Sequence, residues 1–379
     1  MALSKSLRIK DLLLCALFIA LSLALFFLPT GFEDRVQAQG GVRTKAEVIE
    51  ADNSGLQKLG IITKGHQELK VRIMDGAFKG RTFEAGNQLQ GRMDLDKVFR
   101  PGDKALVVLS LDAEGRVVFV HPQDHYRLGW ELWLLVLFAL LLVSYGGLTG
   151  LRALLSFVFA ALMIWKVLVP GMLKGYDPLW LAVGVVAGLT ASIIFLVAGP
   201  TRKGLTAFCG AMLGVLTSCL MAVFFTDALH LHGAVMPFAE TLLYSGFPHL
   251  DLVRIYIAAV FLAASGAVMD LAMDVAASMD EVVAKKEGLT RLEALGSGLA
   301  VGRAVVGTMT TTLLLAYSGG YVTLLMAFMA QGIPLANMFN LIYVAAEVLK
   351  TLVGSFGLVT VAPFTALLGA LILVRKPSR

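Results

Sequence analysis

Leu179-Trp-Leu-Ala-Val-Gly-Val-Val-Ala-Gly-Leu-Thr-Ala-Ser-Ile-Ile-Phe-Leu-Val-Ala198 is a run of 20 residues without one charge. A helix of about that length crosses the ~30 Å hydrocarbon layer of a bilayer. Inside lipid no water can satisfy an exposed backbone group, so such a run has one stable conformation, the helix. Working outward, eight stretches of this kind are found, at 12–28, 130–145, 153–169, 179–198, 205–225, 253–273, 305–329 and 351–374. The expected fold class is therefore an α-helical polytopic membrane protein with about eight transmembrane helices.

The whole chain agrees with that reading. Of its 379 residues 57% are hydrophobic and only 16% charged, and its mean hydropathy is +0.78, whereas a soluble domain carries about a quarter charged residues. The net charge of +5 does not form the basic face a nucleic-acid partner would need, and no nucleic acid is expected. Cys15, Cys209 and Cys219 all fall inside apolar runs, so no disulfide framework is implied.

Lys and Arg in short loops mark the cytoplasmic side. Taking alternate loops, one set holds Lys5, Arg8 and Lys10, then Arg152, Arg202 with Lys203, Lys285 with Lys286, Arg291 and Arg303, and finally Arg375, Lys376 and Arg379. The opposite set holds Lys174 alone. Both termini are expected in the cytoplasm. The run at 12–28 reads as an uncleaved signal anchor, although Val36-Gln37-Ala38 is a small-residue pattern that a signal peptidase could accept.

Three regions follow: 1–30 as cytoplasmic N-terminus and first helix, 31–128 as a polar domain outside, and 129–379 as a seven-helix bundle. The outside block has strand-like runs at 43–51, 59–63, 68–74, 104–111 and 116–120, punctuated by Asp75-Gly76, Pro101-Gly102-Asp103 and Glu114-Gly115. This pattern predicts a small extracytoplasmic all-β, OB-like domain between the first and second helices.

Ionisable groups inside a membrane helix cost roughly 2.5 to 3.5 kcal/mol each on insertion scales, so they mark function by default. Asp270, Asp274, Ser278 and Glu281 recur at i, i+4, i+8 and i+11 of the sixth span and share one helical face. The seventh span answers with Arg303, Gly307, Thr308, Thr310 and Thr311, whose hydroxyls can coordinate a desolvated cation. These residues read as a transport or ion relay; the alternative is an Asp270–Arg303 ion pair that locks the bundle. Ser318-Gly319-Gly320 marks a break late in that span, and Glu347 with Lys350 reads as an interfacial pair on an amphipathic segment at 336–350. His230, His232 and His249, with Asp227, Glu240 and Asp251, crowd one outside loop, but their spacing fits no zinc signature. Walker, dinucleotide, HExxH and GxSxG motifs are absent. No catalytic residue, resident metal or cofactor is expected, and any transport would be secondary or powered by a partner.

Gly266-Ala-Val-Met-Asp270, Gly302-Arg-Ala-Val-Val-Gly-Thr-Met-Thr310, Leu314-Leu-Ala-Tyr-Ser-Gly319 and Gly354-Ser-Phe-Gly357 resemble the hallmarks of the YibE/F family of bacterial membrane proteins. Pro101-Gly102-Asp103 and Tyr126-Arg127 extend the resemblance over nearly the whole chain. The resemblance implies the architecture and a bacterial cytoplasmic membrane; its biochemical activity is unassigned. Asp274 and Thr311 stand where the family pattern more often has Ser and Asn, and Ala304 where Asp is common. A shared role therefore carries over more directly to Asp270, Arg303, Gly307 and Thr310. Two functions are expected. One is a secondary transporter or permease for a small solute or ion; the other is a non-transporting scaffold or sensor whose outside domain binds a partner or ligand.

Overall fold

The structure is a computed structural model that describes residues 2–38, 41–286 and 288–374. It divides into two compact units, Gly31–Leu141 and the pair Met1–Thr30 with Leu142–Arg379.

The smaller unit is built on one antiparallel sheet. Its strands are β1 (Val42–Asp52), β2 (Leu56–Leu59), β3 (Ile62–Ile73), β4 (Thr82–Gln90), β5 (Lys104–Leu111) and β6 (Val117–His125), in the order β2-β3-β1-β5-β6, with β4 also on β3. Alternation places Ala46, Val48, Val71, Ile73, Val107 and Leu109 in one interior with Phe99. Two polar side chains are buried there and fully satisfied. Gln67 donates to Phe99 O at 2.8 Å and to Asn53 Oδ1 at 2.6 Å. Its Oε1 accepts from Asn87 Nδ2 at 3.0 Å and from Phe99 N at 3.1 Å. The network ties the loop between β4 and β5 to the sheet.

Two expectations for this unit change. The run at 59–63 is not one strand: it joins the end of β2 at Leu59 to the start of β3 at Ile62 through a turn at Gly60 (φ 62°) and Ile61. β4, Thr-Phe-Glu-Ala-Gly-Asn-Gln-Leu-Gln, escapes notice because its inward positions are Ala85, Asn87 and Leu89, a row broken by one polar residue.

In the larger unit α1 (Ala2–Phe27) precedes the short α2 (Glu33–Ala38) of the smaller unit; Val36-Gln37-Ala38 ends α2, and the cut it would allow, after Ala38, lies against residues outside the described ones. Counted by length and apolarity, six helices among the described residues could cross a membrane. The expected runs at 130–145 and 153–169 fall on two helices that meet at a non-helical kink at Gly147 (φ 53°, ψ −127°) within α3 (Leu128–Met163). A π-helical turn, Ile164–Leu168, and α4 (Val169–Leu173) follow directly. In that turn Lys166 Nζ donates to Leu28 O at 2.9 Å, tying down the end of α1.

α5 (Pro178–Ala198) and α6 (Arg202–Ala228) match the expected runs closely. After α7 (Ala239–Tyr244), α8 (Leu252–Lys285) runs 34 residues, about 51 Å at ~1.5 Å per residue. α9 (Arg291–Ser318) starts well before the expected run at 305–329 and stops at the Ser318-Gly319-Gly320 break; α10 (Val322–Ala330) is a separate helix. α11 (Leu335–Asn340) leads into α12 (Ile342–Ile372), which begins nine residues before the expected 351. The supposed amphipathic segment at 336–350 is thus divided, and its charged pair belongs to α12.

α12 packs against α6, α8 and α9. Glycines permit the closest approach: a Cβ on Gly357 would reach the Ser218 side chain, and one on Gly214 would lie 2.9 Å from Val361 Cβ and 3.2 Å from Gly357 O. Small residues at crossings let helix backbones meet where lipid offers no hydrophobic drive to association.

Candidate functional site

α8 carries the predicted acids on a long helix whose first turn is capped by Asp251, accepting from Arg254 N at 3.0 Å. Its inner face, with Phe261, Ala264, Val268, Leu271, Val275 and Met279, is buried. Its outer stripe reads Ala259, Ala263, Gly266, Asp270, Asp274 and Glu281, with Ser278 half-buried beside it. Between its ends, from Lys203 to Thr226, the exposed positions of the neighbouring α6 are Leu205, Leu213, Leu216, Leu220, Val223 and Phe224. A stripe of small and acidic residues is not what a lipid-facing helix displays; that of α6 is.

α9 repeats the pattern. Between Gly296 and Thr312 its exposed residues are Gly296, Ala300, Arg303, Ala304, Gly307, Thr308, Thr311 and Thr312, with no large apolar side chain among them. A methyl group on either Gly266 or Gly307 would meet nothing within 4 Å, so both stripes border open space. The two helices pack along their inner faces, where a Cβ on Gly298 would strike Met279 and one on Gly302 would lie 3.9 Å from Val275 Cγ2.

The hydroxyls have a defined polarity. Thr308 donates to Val305 O at 3.0 Å, Thr310 to Val306 O at 3.0 Å and Thr312 to Thr308 O at 3.1 Å. With each proton held by its own helix, the oxygens present lone pairs, which suit a cation or a hydrogen-bond donor.

The structure sorts the predicted residues. Asp270, Asp274 and Ser278 stay together on α8, and Arg303, Gly307, Thr308 and Thr311 share the outer side of α9. Thr310 is half-buried. Glu281 is spent on Lys285, Oε1 to Nζ 2.6 Å. No ion pair joins Asp270 to Arg303 among the described residues, and neither Asp270 nor Asp274 has a hydrogen-bond partner there. Arg303 also lies 12 residues inside α9, about 18 Å from its start, and not at the mouth of the helix. No group of three or more His, Cys, Asp or Glu side chains among the described residues could hold a metal ion.

The expected pair Glu347–Lys350 belongs to a larger cluster. Glu347 and Lys350, 3.6 Å apart with side chains about a third exposed, sit on the first turns of α12. Lys350 Nζ stands 5.1 Å from the Tyr317 ring centroid, and Tyr256 Oη donates to Ala346 O at 2.7 Å. The pair itself was legible, an acid and a base three apart in an otherwise apolar run; its neighbours Tyr317 and Tyr256 were not.

Long apolar helices with an acid- and hydroxyl-bearing face define the class: a polytopic membrane protein. The family model for YibE/F-like proteins matches residues 134–375, more than half of the chain, and the chain belongs to that family. The match covers the helical bundle; the β unit, which the sequence resemblance had included, lies outside it. No curated protein and no solved structure matches the chain.

Proposed function

We propose that this protein is a secondary transporter or permease for a small solute or ion, with Asp270 taking up and releasing a proton during the cycle and no catalytic chemistry of its own. The observation that carries the reading is the outer stripe of α8, where Asp270 and Asp274 stand without partners among the described residues on a helix long and apolar enough to span. A carboxylate without a countercharge is too costly to leave in hydrocarbon, so the stripe implies water or a polar solute against it. The lone pairs of Thr308, Thr310 and Thr312 on α9 supply the matching wall. The distribution of Lys and Arg supports an orientation with both termini inside and the β unit outside, and the family supports a bacterial cytoplasmic membrane.

The test is proton flux into proteoliposomes under an imposed membrane potential, read with an enclosed pH dye. Wild-type protein should conduct above empty vesicles and Asp270→Asn should fall to their level. Equal flux through both proteins would sink the role of Asp270.

A further inference from the structure

Asp274 lies deep along the bundle and not at its rim. A Cβ on Gly369 of α12 would strike Met279 and lie 3.5 Å from Thr206 Cγ2, so Met279 of α8 is level with Thr206 of α6. Thr206 comes one turn after Arg202, the cation that starts α6, and Asp274 lies more than a turn further along the antiparallel α8. At ~1.5 Å per residue Asp274 is therefore about 13 Å deeper than Arg202.

Arg303 stands at the same depth. Gly298 of α9 lies against Met279 and Gly302 against Val275, so the antiparallel α8 and α9 bring Arg303 level with Asp274 and Gly307 level with Asp270. Yet neither Asp274 nor Arg303 has an ion pair or a side-chain hydrogen bond among the described residues. Opposite charges stand at one depth of spanning helices, each without a countercharge, where hydrocarbon makes both costly.

The surface around them has the relief of a helix contact. Gly296, Ala300, Ala304, Thr308 and Thr312, all exposed, recur every four residues and form one ridge of α9 about 24 Å long. Ala259, Ala263, Gly266, Asp270 and Asp274 line α8 beside it. Small side chains let another helix approach closely, which is how helices associate where lipid removes the hydrophobic drive. The exposed side of α6, with Leu205, Leu213, Leu216 and Leu220, has the bulk that suits lipid instead.

We propose that the face shared by α8 and α9 is the interface with a second copy of this chain, in which Arg303 of each copy pairs with the partner's Asp274. Charge complementarity selects that occupant. Two copies inserted the same way round are related by a two-fold axis along the membrane normal, which keeps every residue at its own depth and lets level residues meet across it. A face that bears both signs at one depth is complementary to itself. Asp270 is left level with the partner's Gly307, which has no side chain to fill the seam, so the relay keeps room for water between the copies. The interface goes beyond the transport reading and does not rest on it.

The test expresses two differently tagged full-length chains together and measures how much of one co-purifies with the other in detergent. Wild-type chains should co-purify. Asp274→Arg in both chains sets Arg303 against arginine, and Arg303→Asp in both sets Asp274 against aspartate, so each should weaken association roughly tenfold or more. One chain with Asp274→Arg and the other with Arg303→Asp restores opposite charges at both contacts and should return co-purification to about the wild-type level. A pair formed within one chain gives no such rescue, because each variant chain carries its own defect. The proposal is overturned if wild-type chains do not co-purify, if either variant associates with itself as well as wild type, or if the mixture stays as low as the single variants.

Cross-linking in native membranes tests the face without changing its charge. With Cys15, Cys209 and Cys219 replaced by alanine, Ala304→Cys should give a covalent dimer on oxidation, and Leu216→Cys on α6 should not. No dimer from Ala304→Cys, or as much from Leu216→Cys, overturns the proposal as well. Monomeric protein with Asp270-dependent flux would sink the interface and leave the relay standing; a dimer whose flux ignores Asp270→Asn would do the reverse.

Discussion

Lys350 stands over the ring of Tyr317, its Nζ 5.1 Å from the centroid, and so joins the start of α12 to the end of α9. The same ammonium lies 3.6 Å from Glu347. One cation thus serves a ring and a carboxylate at a point where both side chains of the ion pair are only partly exposed.

Replacing Lys350 by Met should therefore remove both contacts and leave Glu347 without its countercharge. A partly desolvated cation–π contact and a partly screened ion pair together suggest a loss of about 1 to 2 kcal/mol. Thermal unfolding in detergent measures it. Adding Glu347→Gln to Lys350→Met should restore part of the loss, because the stranded charge is then gone.

The glycines of the bundle should divide by their surroundings. Gly214→Ala would press on the stiff Val361 side chain and on Gly357 O, and overpacking of this kind costs about 1 to 3 kcal/mol. Gly307→Ala meets nothing within 4 Å and should leave stability unchanged or raise it by roughly 0.5 to 1 kcal/mol, the helical preference for Ala. Paired melting curves distinguish the two; equal destabilisation would contradict the packing described for α6 and α12.

Gln67→Leu should damage the β unit more than its size suggests. It keeps a buried side chain but orphans Phe99 N and O, removes the partner of Asn53 Oδ1 and leaves Asn87 Nδ2 with Lys97 O alone. Buried polar groups stripped of their partners cost about 1 to 3 kcal/mol apiece. A loss of roughly 2 to 4 kcal/mol, with faster proteolysis between β4 and β5, is the expected result.

Asp124 should titrate below the ordinary carboxylate range, because Arg127 hydrogen-bonds to it, Nη1 to Oδ2 2.8 Å, and the His125 N–H adds a second donor. A carboxyl whose folded pKa is depressed contributes stability that is present above its unfolded pKa of ~3.9 and lost as pH falls through the folded value. A carboxyl carbon titration by NMR should place its midpoint low in the wild type and nearer the ordinary value in Arg127→Gln. Because the pair is largely exposed, the effect on overall stability should be small.

Legibility followed the strength of the local signal. The run at 179–198 coincides with α5 but for the Pro178 at its start, since Asp177 caps the helix by accepting from Leu179 N and Trp180 N. The run at 253–273 finds the start of α8 but not its end, because the polar residues after Asp274 are good helix formers that hydropathy does not count. β4 was missed because Asn87 breaks its inward apolar row, and the setting of the Glu347–Lys350 pair because Tyr317, beneath Lys350, lies on another helix.

What the sequence alone determined is the set of helices and the line of acids along one of them. Lipid leaves an apolar run no alternative to the helix, and a 3.6-residue turn places Asp270, Asp274 and Ser278 on one face whatever surrounds them. What only the tertiary structure decided is where that face points. The rotation of each helix is set by contacts such as Gly214 against Val361 and Gly298 against Met279, between residues far apart in the chain. Those contacts turn the acids of α8 outward, leave Asp270 and Arg303 without a mutual ion pair, and carry Glu347 and Lys350 from a supposed surface segment onto α12.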